Sequence, residues 1–349
     1  MNTPAPLHTR FTQRYGVKHP FAAAGLGFAG MTPALALAVD AAGGIGAIGV
    51  ATMPGDELRR CIRVLQACAK GPFNINFIGC FDNEERLRIC LDEGVPIVSW
   101  HWGGPTPAQQ RDMQTAGVSW WQQVGSVQAA RKAVDGGAQA IVAQGWEAGG
   151  HNLQGVDGAP GLPTFVFLPQ VVDAVGAHTL VLASGGVADG RGVAAALALG
   201  ADAVWVGTRL VATQESDAHP EHKRRIVASS GDDTVLTSIF SPEWPVFNPM
   251  RVRRNAVVQR LQGRMEEARA HRQTGAEVGH TVLFGQPLRL GPLEAIPPTA
   301  QTQADWEAVP WLMGQSAGLI HDLPSATDVV QRMMTEAASI CQRMAGATA

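Results

Sequence analysis

A histidine that follows two consecutive glycines is the residue in this sequence best placed to do chemistry. His151 ends the stretch Ala143–His151, in which Gly149 and Gly150 directly precede it. Glycine has no side chain, so this main chain can pass close to a planar ligand. An imidazole exchanges protons near neutral pH. The pattern therefore predicts that His151 faces a ligand, as a general base or as a hydrogen-bond donor.

Two further segments have the composition of phosphate-binding loops. Ser184, Gly185 and Gly186 follow one apolar run, and Gly207 and Thr208 follow the next one. Glycines let backbone N–H groups converge on an anion, and a short helix starting at Thr208 would add unpaired donors. Either segment alone could be an ordinary tight turn. Together, at consecutive strand ends, they favour a phosphate site.

Side-chain amides follow other apolar runs of the chain. Asn76 and Gln123 each lie at the end of a predicted strand. A carboxamide both donates and accepts hydrogen bonds, so it can pair with the edge of a heterocycle. Asn76 and Gln123 could equally satisfy backbone groups at a turn. The histidines show no metal-ligand spacing such as HExxH, so we expect no metal centre.

The elements that must position these residues alternate between short apolar runs and alanine-rich helical stretches. The predicted strands are Phe21–Ala24, Ile45–Ile48, Phe73–Phe77, Ile97–Trp100, Ser119–Gln123, Ala140–Ala143, Leu180–Ala183 and Ala203–Val206. The predicted helices between them are Pro33–Ala42, Gly55–Ala69, Asn83–Glu93, Thr106–Ala116, Ser126–Gly136, Phe165–Val175 and Gly190–Leu199. A doubly wound open sheet would give the same local pattern. We favour an α/β fold of the (β/α)8 TIM barrel type over residues 1–216, with its site at the carboxyl ends of the strands.

The alternation ends after the eighth strand. The later helices are predicted at Thr208–Gln214, Glu221–Ser230, Arg251–Arg272 and Ser325–Arg343. Between the last two lies a proline-rich stretch. We therefore expect residues 217–349 to form a mostly helical C-terminal extension that packs on the barrel as a cap.

The composition of the 349 residues limits the class of partner. The formal net charge is −3 and no block of Lys and Arg occurs, so neither nucleic acid nor an anionic membrane is expected. No signal sequence and no apolar run long enough to span a bilayer is found. The five cysteines lack CxxC spacing, which fits a reducing compartment. We expect a cytoplasmic protein that acts on a small molecule, with a homodimer as an open expectation.

In order along nearly the whole chain, these motifs resemble the nitronate monooxygenase family, formerly called 2-nitropropane dioxygenases. The motifs are Ala41–Gly46, Pro72–Asn76, Gln144–His151, Ser184–Gly190 and Gly207–Arg209. The resemblance implies a TIM barrel that holds FMN non-covalently and uses His151 as its active-site histidine. It implies phosphate contacts from Gly185, Gly186, Gly207 and Thr208, and isoalloxazine contacts from Ala24, Gly25, Asn76, Gln123 and Gly150. The remaining expected cofactor-binding residues are Gln144, Gly149 and Ser184.

The same resemblance implies the reaction. We expect the oxidation of an alkyl nitronate or nitroalkane by O2 to a carbonyl compound and nitrite, with Trp100, Trp102 and Trp146 excluding water. An FMN-dependent NAD(P)H reductase of an enoyl thioester or a quinone is the alternative, and a flavin-free barrel for a phosphorylated metabolite is a third. Where many members have Ala-Pro-Met after the first strand, this chain has Ala24, Gly25 and Leu26. That segment is expected to lie against the flavin.

Overall fold

Eight apolar runs form the parallel strands of a barrel. The computed structural model describes residues 7–154, 161–243 and 249–346. The barrel strands are β1 (Phe21–Ala23), β2 (Ala47–Gly49), β3 (Asn74–Ile78), β4 (Ile97–His101), β5 (Ser119–Val124), β6 (Ala140–Gln144), β8 (Leu180–Ser184) and β9 (Ala203–Val206). They pair in the order β1-β9-β8-β6-β5-β4-β3-β2, and a parallel bridge between Ala22 and Ile45 joins the two ends of this order. The predicted barrel is confirmed.

Helices alternate with these strands as predicted. They are α2 (Pro33–Ala42), α3 (Gly55–Cys68), α4 (Glu84–Asp92), α5 (Pro107–Thr115), α6 (Val127–Asp135), α7 (Thr164–Val175) and α8 (Gly190–Ala198). Their starts follow the local sequence, since Thr106, Ser126 and Asp189 accept hydrogen bonds from N–H groups of the first turns of α5, α6 and α8. The residues that precede these helices therefore determine where the helices begin.

Both faces of the barrel strands are buried. Val142 and Leu182 point into the barrel interior, whereas Ile141 and Val181, their neighbours in sequence, pack in the layer shared with the helices. This double burial explains why the strands appear in the sequence as continuous apolar runs. An unpredicted helix, α1 (Arg10–Tyr15), packs against the same interior cluster through Phe11.

The C-terminal extension combines helices with two small antiparallel sheets. The helices after β9 are α9 (Thr208–Val211), which precedes the extension, and α10 (Pro220–Val227), α11 (Ala256–Leu261), α12 (Met265–Gln273) and α13 (Ala326–Gly346) within it. One sheet contains β10 (Thr234–Thr237), β11 (Met250–Arg253) and β7 (Gly150–His151), and the other contains β12 (Gly279–Leu283), β13 (Gln286–Leu290) and β14 (Gln303–Ala304). The expectation of a mostly helical extension is therefore correct only in part. The extents 1–216 and 217–349 remain a prediction.

The predicted long helix Arg251–Arg272 is wrong. Its first residues belong to β11, and Asn255 then caps α11 by accepting a hydrogen bond from the Val258 N–H. Gly263 separates α11 from α12 with a φ of +76°, a left-handed conformation that glycine adopts readily. The polar composition of this segment is typical of one surface helix, but the cap at Asn255 and the break at Gly263 divide it into a strand and two helices.

The last helix completes the outer layer of the barrel. α13 packs on α8 and α2, and its Glu336 carboxylate accepts a hydrogen bond of 2.8 Å from the Gly190 N–H. The extension therefore covers the strand ends through the segments before α13 rather than through α13 itself. No helix in the described ranges is long and apolar enough to cross a membrane.

Candidate active site

A cavity of about 560 Å³ lies at the carboxyl ends of the barrel strands. This volume falls in the range of about 300 to 1,000 Å³ that is typical of small-molecule sites. All the site residues predicted from the sequence lie on its wall, namely Ala24, Gly25, Asn76, Gln123, Gln144, Gly149, Gly150, His151, Ser184, Gly185, Gly186, Gly207 and Thr208. The structure therefore brings together residues that are spread over most of the chain.

The loop after β8 lies on the cavity wall and combines N–H groups without a protein acceptor in the described residues with two carbonyl groups that are already hydrogen-bonded. Gly185 and Gly186 have φ of +98° and +76°, which glycine adopts without strain. The Thr164 hydroxyl donates to the carbonyls of Ser184 and Gly185, both at 3.1 Å. Within the described ranges, no protein acceptor takes the N–H of Gly185 or Gly186. A loop with free donors and paired acceptors fits an anionic phosphate.

The loop after β9 leaves unfilled space beside Gly207. A Cβ atom added at Gly207 would find no heavy atom closer than 3.7 Å, and its nearest neighbours would be Ala24 and Leu26 on the cavity wall. The next residue, Thr208, accepts a hydrogen bond of 2.9 Å from the Gly314 N–H through its hydroxyl. Gly207 therefore leaves space in the cavity, while Thr208 also holds a segment of the extension in place.

The end of β1 lies directly against the amide of Asn76. A Cβ atom at Gly25 would come within 2.1 Å of Asn76 Cγ, so no side chain fits there. Asn76 is itself fixed, because its Nδ2 donates to the Ser99 hydroxyl at 2.8 Å. The glycine that replaces the proline common in the resembling family is thus coupled to the position of Asn76.

The Gln144 side chain holds the histidine loop. Its Nε2 donates to the His151 carbonyl and its Oε1 accepts from the Leu153 N–H, both at 2.9 Å. Asn152 adds hydrogen bonds from its Nδ2 to the carbonyls of Gly145, Trp146 and Ala148. Gln144 therefore lines the cavity as predicted, but both ends of its amide are already paired with the protein.

Two aromatic rings lie near the His151 imidazole. The Trp102 ring lies 4.5 Å from it between centroids, and the His101 ring lies 6.5 Å away. Trp100, Trp102 and Trp146, which are expected to exclude water, do not lie on the cavity wall, and that role stays a prediction. Trp100 instead packs in the layer shared with the helices, where its ring centroid is 5.0 Å from that of Phe77. Successive residues of a strand face opposite sides, so Trp100 turns away where His101 turns in.

Trp146 packs against Arg251 instead of lining the cavity. The Arg251 guanidinium lies 5.5 Å from the centroid of its ring and donates to its carbonyl at 2.8 Å. Arg251 belongs to β11, which pairs with β7 of the histidine loop. The sequence could not show this contact, because the two residues are distant along the chain.

The sequence leads us to consider His101 as part of a cluster with Trp100 and Trp102 that could either wall a pocket or plug the barrel end, but not as a catalytic or cofactor-binding residue. His101 lies on the cavity wall, and burial, helped by the nearby His151, lowers its pKa to about 3. Its place at the end of β4 was the signal that could have identified it. The extension residues on the wall carried no such signal. They are His222, Ser241, Glu243, Arg272, Leu283, Leu288, Glu294, Ala295, Ile296, Pro297, Leu312 and Ser316.

Buried His222 is expected to make stability depend on pH. Burial lowers its pKa from 6.5 to about 4, so the unfolded chain binds its proton more readily than the folded protein does. Its contribution is complete above pH 6.5 and is lost as the pH falls toward 4, by up to about 3 kcal/mol. Urea unfolding from pH 7 to 4.5 should show a shallower decline for His222→Gln, which keeps a donor for the Leu312 carbonyl. An unchanged slope, equal to that of the exposed control His321→Gln, would contradict this assignment.

The barrel, the glycine loops and the histidine loop on one cavity together define a (β/α)8-barrel enzyme with a small-molecule site at the carboxyl ends of its strands. More specifically, the chain belongs to the nitronate monooxygenase family, whose model matches residues 8–82 and 78–336. The chain is therefore an oxidoreductase of that family, and flavin dependence is what the resemblance in its sequence implies.

Individual relatives differ in the reactions that they are named for. A (3aS,4S,5R,7aS)-5-hydroxy-7a-methyl-1-oxo-octahydro-1H-indene-4-carboxyl-CoA dehydrogenase from Mycobacterium tuberculosis is 30% identical, over 95% of this chain and 96% of its own. A nitronate monooxygenase from Paraburkholderia phytofirmans is 28% identical, over 86% of this chain and 87% of its own. The structure of FabK from Thermotoga maritima superposes with a TM-score of 0.79 at 32% identity, over 97% of this chain and 99% of that one. Similarity thus establishes the family but leaves the substrate open.

Proposed function

We propose that this protein is an FMN-dependent enzyme that oxidises an alkyl nitronate or nitroalkane with O2 to a carbonyl compound and nitrite. The observation that carries the proposal is the presence of His151, on a loop pinned by Gln144 and Asn152, in the same cavity as the donor-rich loop of Gly185 and Gly186. His151 would supply proton transfer, and the loop of Gly185 and Gly186 would supply an anion site. Both are needed by an enzyme that holds a phosphorylated flavin beside an acidic carbon.

The residues present fit FMN. The N–H groups of Gly185 and Gly186 would hold its phosphate, with Gly207 leaving room beside them. Asn76 and Gln123 would contact the edge of the isoalloxazine ring. The side-chain amide of Gln123 has no hydrogen-bond partner within the described ranges, whereas its backbone carbonyl accepts from Gln122 Nε2. Bound there, FMN would supply the redox chemistry by passing electrons from the substrate to O2. The protein supplies binding, orientation and proton transfer.

His151 acts on the substrate in this proposal. With a neutral nitroalkane it removes the proton from the carbon next to the nitro group, and with a nitronate it donates a hydrogen bond to the anion. Trp102, at 4.5 Å between ring centroids, restricts the orientation of the imidazole. Its large apolar surface also reduces access of water to that side of the histidine.

A redox reaction on a CoA thioester is the second candidate. It is supported by the carboxyl-CoA dehydrogenase that aligns over 95% of this chain. The extension adds an apolar wall of Leu283, Leu288 and Ile296, which offers room for a substrate larger than a nitroalkane. Proton abstraction by His151 would serve this reaction too, since a carbon next to a thioester carbonyl is also acidic.

Steady-state assays distinguish the two candidates. The holoprotein is mixed with propyl-2-nitronate, 2-nitropropane or an acyl-CoA, and O2 uptake and nitrite are followed. We expect nitrite and O2 consumption with the nitro compounds and no turnover of the acyl-CoA with NAD(P)H or NAD(P)+. Turnover of the thioester without nitrite formation from either nitro compound would instead establish the second candidate.

A further inference from the structure

His101 is a second imidazole in the cavity, and the proposed reaction does not yet use it. It ends β4, whereas His151 belongs to β7, and their ring centroids are 6.5 Å apart. Both residues lie on the wall of the same cavity. A ligand held between the two elements would therefore meet an imidazole from each.

The two nitrogen atoms of His101 have different surroundings. Nδ1 is sealed from solvent and has no hydrogen-bond partner in the described part of the chain. Since the residue nevertheless lines the cavity, the exposed edge of its ring is the one that carries Nε2. The His101 carbonyl is already used, because it accepts a hydrogen bond of 2.7 Å from the Gly79 N–H.

The charge state and tautomer of His101 follow from these surroundings. Burial, helped by the positive charge that His151 can carry, lowers the pKa of His101 to about 3, so the ring is neutral near pH 7. A neutral imidazole has one N–H and one bare nitrogen. A buried N–H without an acceptor is rarer in proteins than an unpaired lone pair, so the proton belongs on Nε2.

The charged groups around the cavity do not alter this assignment. The charged side chains on the described wall are Glu243, Arg272 and Glu294, and they come from the extension. Arg272 bonds to Glu243 at 3.0 Å and to Glu294 at 3.2 Å, so these charges largely compensate each other. Among the titratable groups in the described ranges, His151 is the one whose ring lies beside that of His101.

We propose that His101 is a catalytic residue that donates a hydrogen bond from Nε2 to an oxygen of the substrate's delocalised oxyanion, while His151 exchanges the proton. This inference rests on the proposed function, and it specifies the substrate as one that carries or develops negative charge on oxygen beside the reacting carbon. A nitronate and an enolate share that chemistry. A neutral donor in an enclosed site stabilises such a charge without competing for the proton.

The first test compares two variants of the holoprotein with the matched control His321→Leu. His101→Leu removes the donor, and we expect kcat/KM to fall by about 100- to 1,000-fold with bound flavin retained. His101→Gln keeps an N–H donor and should lose less than about 10-fold, whereas a role in packing alone would not favour Gln over Leu. The shape of the pH profile should stay that of the unaltered protein. Equal activity of His101→Leu and the control, or a pH limb lost with His101, would overturn the proposal.

The second test does not depend on turnover. In the 15N-histidine-labelled holoprotein, the His101 signals are assigned by their loss in His101→Gln. We expect the Nε2–H tautomer without titration between pH 5 and 9, and a shift of the Nε2–H proton when inorganic nitrate is added. An Nδ1–H tautomer, titration in this range or no response to nitrate would contradict the role of His101. If these results hold but no nitronate is oxidised, the proposed function fails and the donor assignment stands.

Discussion

Replacing His151 with alanine is expected to lower kcat/KM for a neutral nitroalkane by about 100- to 10,000-fold, the usual contribution of a general base. The loop that carries it should remain in place, because Gln144 and Asn152 hold its backbone rather than the imidazole. Flavin content and melting temperature should therefore match those of the unaltered protein. His321→Ala removes an exposed histidine outside the cavity and should retain full activity.

Comparison of two substrates determines which role His151 has. A base is needed for the neutral nitroalkane but not for its preformed nitronate, so a loss confined to the nitroalkane identifies His151 as the base. An equal loss for both identifies it as a donor to the anion. A His151→Ala variant that oxidised both substrates at the normal rate, with flavin bound, would remove His151 from the mechanism.

Replacing Gly207 with valine is expected to produce a folded protein with weakened flavin binding. A Cβ at this position meets nothing closer than 3.7 Å, and its neighbours Ala24 and Leu26 lie on the cavity wall. The added methyl groups would therefore occupy ligand space rather than the protein core. Overpacking of about 1 to 3 kcal/mol corresponds to a roughly 5- to 150-fold rise in the Kd for FMN.

The Gly207 measurement needs matched controls. Apoprotein is titrated with FMN while flavin fluorescence is followed, and the melting temperature of each apoprotein is recorded. Gly207→Ala should show a smaller effect than Gly207→Val, and Ala195→Val on the exposed face of α8 should show none. Normal FMN affinity in Gly207→Val would show that the flavin does not occupy the space beside this loop.

The barrel was predictable because its signals are local. Each strand is a run that is buried on both faces, and helix boundaries coincide with residues such as Pro33, Thr106 and Ser126. The site residues were predictable for the same reason, since a parallel barrel brings the carboxyl ends of its strands to one face. Position after a strand end, together with the glycines before His151 and in the two loops, was therefore sufficient to place these residues on the cavity wall.

What could not be predicted depends on contacts between distant segments. The pairing of β7 with β11 joins Gly150 to Arg251, and no local pattern in either segment indicates it. The same contact contradicts the predicted helix Arg251–Arg272. Gln144 is expected to bind the cofactor, but its side-chain amide is paired with the His151 loop a few residues further along. The residue types at a strand end therefore predict which residues line the cavity, but they do not predict which of their polar atoms lack a hydrogen-bond partner in the protein.

The proposed function requires that a flavin bound in this cavity be reduced by a nitro compound with the help of His151. Anaerobic mixing of the holoprotein with a nitronate, and separately with NADH, tests it directly when the flavin absorbance is followed. We expect rapid loss of the oxidised flavin spectrum with the nitronate and none with NADH on the same time scale. Rapid bleaching by NADH alone, with no spectral change on adding nitronate, would contradict the account and identify a reductase.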